Sequence, residues 1–135
     1  MIQVGIITLF PELVMLLSKW GVTRRAFTQR QVQMTVIDLR HFAPNGRVDD
    51  VPFGGGGGML LAYAPLASAI EHLKTLLPDP WIIYMSPAGN TLKQSMFTRL
   101  SKRNLIIVCG RYEGIDERII EKYIDEEISD RKSVV

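Results

Sequence analysis

The 135-residue sequence holds one cysteine, Cys109, and two histidines, His41 and His72, set far apart. A single thiol excludes an internal disulfide framework and a cysteine-based zinc cluster. The separated imidazoles point away from a histidine metal site, so no metal is expected. No apolar run approaches the roughly 20 residues that a membrane-spanning helix needs. The N-terminus also lacks the basic stretch and apolar core of a secretory signal. The glycine run Gly54–Gly58 has no Gly-Lys-Ser/Thr ending, because Met59 stands where a phosphate loop places its lysine. A dinucleotide fingerprint fails as well, with Met59, Leu60 and Leu61 in the positions that would need a third Gly or Ala. There is no Gly-x-Ser-x-Gly, which makes Ser86 a poor nucleophile, and no internal repeat. These absences describe one soluble domain in a reducing, cytoplasmic setting, long enough to bury its own core.

The formal net charge of +2 hides an asymmetry. Residues 1–112 carry 12 Lys/Arg against 6 Asp/Glu, whereas residues 113–129 carry 2 against 7. A basic body with an acidic patch suits an anionic partner such as RNA, and equally an ordinary mixed surface.

Hydrophobic patterning predicts alternating strands and helices. Ile2–Leu9 is β-branched and almost continuously apolar, as a strand buried on both faces would be. Pro11 opens a helix running to Gly21, and Thr23 caps a short basic helix, RRAFTQR. Val32–Asp38 is a second strand. Residues 39–58 are punctuated by Pro44, Asn45-Gly46, Pro52 and the glycines, and read as loop. A helix is expected from Pro65 to Leu77, on the spacing of Leu66, Ala69, Ile70, Leu73, Leu76 and Leu77. Trp81–Met85 is a third strand, followed by a turn over Ser86–Asn90. Thr91 and Gln94 have capping-box spacing for a helix to Ser101. Asn104–Cys109 is a fourth strand, Asp116–Tyr123 a helix with acids in its first turn, and Ile128 begins a fifth strand. The class is α/β, with a mostly parallel sheet flanked by helices.

Ligands of such sheets bind beyond the carboxyl ends of the strands. That selects the loops 39–58, Ser86–Asn90 and Gly110–Ile115. Glycines at 54–58 permit close backbone approach to a ligand and also suit a hinge. Asp49 and Asp50 beside them read as solvated turn acids or as groups for base edges. Cys109, closing an apolar strand, reads as a core residue rather than a reactive thiol. Cys109-Gly-Arg-Tyr-Glu-Gly-Ile-Asp-Glu-Arg118 concentrates glycines, an aromatic and both charge signs at a strand end, favouring a pocket for a polar, partly cationic ligand.

Several of these segments together resemble a known family. Leu9-Phe10-Pro11-Glu12, Gly21-Val22-Thr23, Val48-Asp49-Asp50 running into Gly54–Met59, Tyr84-Met85-Ser86-Pro87-x-Gly89, Cys109–Arg118 and Asp125–Ser129 occur in one order. In that order they are similar to the bacterial tRNA (guanine-N1) methyltransferases, SPOUT-class proteins with a trefoil knot. The resemblance covers about residues 1–129, and the tail 130–135 departs from it. It implies methyl transfer from S-adenosylmethionine to N1 of the guanine 3′ of the anticodon in tRNA, by a homodimer with its sites at the subunit interface. By matching position, Tyr84, Ser86, Pro87, Gly89, Gly110, Tyr112 and Glu113 would hold the cofactor. Asp50, Gly55, Gly56, Gly58, Met59 and Glu113 would neighbour the guanine. Glu113 would favour the cationic end of the cofactor, and Gly89 and Gly110 would be small because the bound cofactor is strongly bent.

Two departures carry expectations. Gly57 stands where the family has proline, which makes the loop more flexible. After Ser129 the family continues with a strand and Gly-Gly turn that complete the knot, then a helical domain with a catalytic Asp base and an Arg for tRNA. Without these the knot is expected to be incomplete and the chain weak or inactive alone. The alternative is a non-catalytic adenosine-cofactor-binding or dimerisation domain.

Overall fold

The computed structural model describes residues 1–17, 32–50, 59–91, 94–110 and 114–129. Five parallel strands form one sheet in the order β2-β1-β6-β5-β7. They are β1 (Ile2–Thr8), β2 (Val32–Asp38), β5 (Trp81–Thr91), β6 (Leu105–Cys109) and β7 (Glu126–Ser129). Between β2 and β5 a two-stranded antiparallel ribbon pairs β3 (Asp49–Asp50) with β4 (Leu60–Leu61). The helices are α1 (Pro11–Leu17), α2 (Tyr63–Leu76), α3 (Gln94–Leu100) and α4 (Glu117–Lys122). Among the described residues, no helix is long and apolar enough to cross a membrane.

Period-two alternation sorts the strand side chains into two layers. Ile7, Ile37, Ile82, Tyr84, Ile106 and Val108 face α2, whose buried Leu66, Ala69, Ile70 and Leu73 recur at helical spacing, and Ile119 of α4 completes this core. On the opposite face a smaller cluster joins Ile83, Ile128 and Leu100, with Trp81, Met85, Met96 and Leu105 packed against it. Ile2, Val4, Val32 and Ile107 extend that face as an apolar groove of about 320 Å³.

The α/β architecture and the strands β1, β2 and β6 match the patterning. Four local expectations are corrected. Residues 39–50 are not plain loop: a single-turn 3-10 helix occupies Leu39–Phe42 and Asp49–Asp50 enters the ribbon, while Asn45-Gly46 makes the expected turn, with φ of 59° and 71°. Helix α2 starts at Tyr63 rather than Pro65, since a proline is tolerated throughout a first turn. Its start is fixed by the Ala62 N–H, which donates to the Val48 carbonyl at 2.7 Å. The chain leaves the ladder at Ser86–Gly89, but rejoins β7 at Asn90 and Thr91 as a continuation of β5, so Thr91 ends a strand instead of capping a helix. Strand β7 begins at Glu126 rather than Ile128, because Asp125 and Glu126 are both bonded to β5. The expected helix over RRAFTQR, the glycine run and the tail from Asp130, on which the knot expectation rests, lie outside the described residues.

Candidate active site

The carboxyl ends of β1, β6 and β5 lie side by side, and the residues singled out in the sequence gather there. Strand β5 pairs with β7 as far as Met85↔Ile128, leaves the ladder, and rejoins it at Asn90↔Ile128 and Thr91↔Ser129. Met85 and Asn90 thus oppose the same residue. Ser86, Pro87, Ala88 and Gly89 are inserted between them as a strap whose main-chain groups stand outside the β5–β7 register. The strap passes so close to the edge strand that a Cβ on Gly89 would lie 2.7 Å from the Glu127 carbonyl carbon and the Ile128 nitrogen.

Gly110, exposed at the end of β6, forms the facing wall. A Cβ there would lie 2.8 Å from Tyr84 Cε1 and 3.2 Å from the Met85 carbonyl oxygen. Both glycines therefore have a reason in the protein's own packing, whatever a bent ligand requires of them. Tyr84 is buried beneath Gly110. Burial pushes its phenol up from the ordinary value, the Glu127 carboxylate adds to this, and a hydrogen bond with Ser86 opposes it. Tyr84 and Ser86 thus meet as buried, uncharged polar groups at the base of the strap. Beside Gly110 a cavity of about 240 Å³ is lined by Thr8, Leu9, Phe10 and Cys109. Burial raises the Cys109 thiol, which keeps it protonated at neutral pH, but Cys109 is half-buried and lines the cavity, outside the core in which the sequence placed it.

A main-chain clasp joins this wall to the ribbon. The Leu61 N–H donates to the Gly114 carbonyl at 3.0 Å, and the Asp116 N–H donates to the Leu61 carbonyl at 3.0 Å. Asp50 pairs with Leu60 and Met59 precedes it, so the ribbon brings the expected guanine-side positions to the segment that follows Glu113. Gly114 has φ +142°, a conformation that disfavours any side chain, and a Cβ there would lie 3.7 Å from the Tyr84 hydroxyl and 3.8 Å from Leu60 Cδ2. Sequence reasoning missed Gly114 and Leu61. The second glycine of Cys109–Arg118 was the available signal for the former, and none marked the latter. Asp116 caps α4 through the Arg118 N–H at 2.9 Å, and the Arg118 guanidinium holds its carboxyl below the usual range.

The structure brings together Tyr84, Ser86, Gly89 and Gly110, with Pro87 inside the strap, and joins to them the ribbon carrying Asp50 and Met59. Gly55, Gly56, Gly58, Tyr112 and Glu113 lie outside the described residues. The donor set of the strap is main-chain and hydroxyl, without a cation among its described residues. Such donors can hold the polar groups of a nucleoside.

A family model described as tRNA (Guanine-1)-methyltransferase TrmD matches residues 2–131. The chain belongs to this family. It is 45% identical over 130 residues to the tRNA (guanine-N(1)-)-methyltransferase of Actinobacillus succinogenes, covering 93% of this chain and 53% of that protein. It is 40% identical over 125 residues to the one from Aquifex aeolicus, covering 92% and 48%. The crystal structure of tRNA (m1G37) methyltransferase from Aquifex aeolicus superposes with a TM-score of 0.88 at 36% identity, over 99% of this chain and 62% of that one. That likeness carries the SPOUT architecture. The chain spans about half the length of the curated relatives it matches. Membership of a methyltransferase family implies a methyl donor as cofactor.

Proposed function

We propose that this chain is the cofactor-binding domain, residues 1–129, of a tRNA guanine-N1 methyltransferase. Its donor is S-adenosylmethionine, and its acceptor is N1 of the guanine 3′ of the anticodon. The observation that carries this is the meeting of strap, Gly110 wall and clasped ribbon at one end of a parallel sheet, in a chain 40–45% identical to such enzymes.

When bound, S-adenosylmethionine supplies an electrophilic methyl group on a positively charged sulfur. The chain's own part is positional. Main-chain groups of Ser86–Gly89 and Gly110 hold the nucleoside, with Tyr84 and Ser86 beneath them. By their match to the family, Glu113 would favour the positive charge and Tyr112 would contact the cofactor. Asp50, Gly55, Gly56, Gly58 and Met59 seat the guanine, which the Leu61–Gly114 clasp keeps in fixed relation to the donor. Holding both reactants at near-attack distance is the larger contribution of such a site. Guanine N1 must also lose its proton to a carboxylate, because the neutral base is a weak nucleophile.

The protein is proposed to act in the cytoplasm, where tRNA is modified, and as a homodimer. Phe10, Leu13, Met15 and Leu16 support the latter: four large apolar side chains at the start of α1 that are 43–61% exposed.

Calorimetric titration of the 135-residue chain with S-adenosylmethionine, with adenosine as control, tests the assignment. Saturable binding that Gly110→Val removes is the expected result. Transfer of a radiolabelled methyl group to tRNA then separates an enzyme from a domain that binds adenosine cofactors without chemistry. A folded chain giving no heat with the cofactor overturns the proposal.

A further inference from the structure

The strap is positioned from outside the cofactor wall. Both of its ends abut Ile128 of β7, so the alignment of β7 along β5 sets where the chain leaves the ladder and where it returns. Strand β7 is a short edge strand with β5 as its sheet neighbour. A slip by one residue would move both ends of the strap and turn the side chains of β7 over.

Side chains rather than strand length hold that register. Asp125 is tied to Ile82 twice, its N–H donating to the Ile82 carbonyl and its carboxylate accepting from the Ile82 N–H, each at 2.8 Å. The next residue, Glu126, receives three donors. Trp81 Nε1 donates to Oε1 at 2.9 Å, Arg99 Nη1 to Oε1 at 3.0 Å and Arg99 Nη2 to Oε2 at 2.8 Å. Arg103 lies over the Trp81 ring at 4.6 Å, fixing the indole that makes the first of these bonds. The planar guanidinium matches the carboxylate in a way a lysine cannot reproduce.

The connectivity gives this cluster its significance. Trp81 begins β5, ahead of the strap, and Arg99 lies in the last turn of α3, after it. The chain runs out along β5, through the strap and back along α3. Both ends of that excursion grip one carboxylate on the strand against which the strap lies. We propose that Arg99 and Glu126 are positioning residues for the Ser86–Gly89 strap, acting through the Trp81–Glu126–Arg99 clamp. The consequence for cofactor affinity rests on the function proposed above, whereas the consequence for the strap does not.

Amide hydrogen exchange and cofactor titration of the 135-residue chain, as wild type, Arg99→Met and Arg99→Lys, provide the test. Arg99→Met is expected to speed exchange about tenfold at Asn90, Thr91, Ile128 and Ser129, the junctions of the strap with the ladder, while amides in β1 and β6 keep their protection. S-adenosylmethionine should bind about tenfold more weakly to Arg99→Met, with Arg99→Lys between the two, since charge without the fork restores part of the clamp. Should Arg99→Met not fold, Glu126→Gln carries the same comparison. Exchange rising evenly across the sheet, or not at all at those junctions, would overturn the proposal. So would a loosened strap with unchanged cofactor affinity. A loosened strap in a chain whose wild type binds no cofactor would sustain the positioning and overturn the function proposed above.

Discussion

A Cβ on Gly110 would meet the ring of Tyr84, and one on Gly89 would meet the backbone of β7. The two clashes differ in what can yield. A tyrosine ring can shift by a few tenths of an ångström, but a strand backbone held in register cannot. Gly89→Ala should therefore lower stability more than Gly110→Ala, with the thermal midpoints of the two variants as the check. Ionisation is also set residue by residue. Asp38, Asp116 and Glu126 are each held below their ordinary values, chiefly by Arg40, Arg118 and Arg99. A carboxyl depressed in the folded state stabilises above its unfolded value and loses that contribution as pH falls through the folded one. Urea midpoints should accordingly stay level between pH 8 and pH 5 and fall below about pH 4, where free carboxyls titrate. Arg99→Met should flatten that acid limb. Cys109 and Tyr84 are shifted the other way by burial. Their contribution is present below the ordinary thiol and phenol values and is lost as pH rises through the raised ones. In the native chain at pH 8, iodoacetamide should alkylate Cys109 at least about tenfold more slowly than in urea.

At the scale of elements, legibility followed how much of a segment's fate lies in its own side chains. Strands β1, β2 and β6 are β-branched runs that must be buried wherever they go, and their bounds were readable. Helix α2 announced itself through Leu66, Ala69, Ile70 and Leu73. Truncating Leu73 or Ile106 to alanine, both fully buried, should cost about 2–5 kcal/mol in denaturant unfolding. Ser86-Pro87-Ala88-Gly89 has every mark of a turn and does leave the ladder, yet the strand resumes at Asn90, because β7 accepts the chain again beyond it. That outcome is decided by a strand remote in sequence and is not written in the four residues. The ribbon β3–β4 escaped for a related reason: two residues a side are too few to show a period. The clasp between Leu61 and Gly114 is made by main-chain atoms, which any residue carries, so composition could not signal it. The candidate site was legible where glycine and hydroxyl residues were needed and illegible where backbone alone does the joining.

For the whole molecule, part of the charge asymmetry is absorbed internally. Of the seven carboxylates in 113–129, three have internal duties: Asp116 as a cap, Asp125 and Glu126 on β5. The excess of Lys/Arg lies in residues 1–112 of the sequence. At the molecule's edge, α1 presents Leu13 and Leu16 to solvent. Replacing both with glutamate should convert the proposed dimer to a monomer in sedimentation velocity while leaving the unfolding midpoint of the monomer within a few degrees, since neither residue belongs to the core.

The use of Ile128 by both ends of the strap also imposes an order of events during synthesis. When Asn90 leaves the ribosome, the residue it must pair with has not been made; a helix, a strand and another helix are still to come. The central strands can assemble in the meantime, because β1, β2, β5 and β6 need only one another. The wall proposed to hold the cofactor is thus the last part of the sheet to take shape, and a nascent chain that has emerged only as far as Cys109 would already have most of its sheet and as yet no place for the ligand.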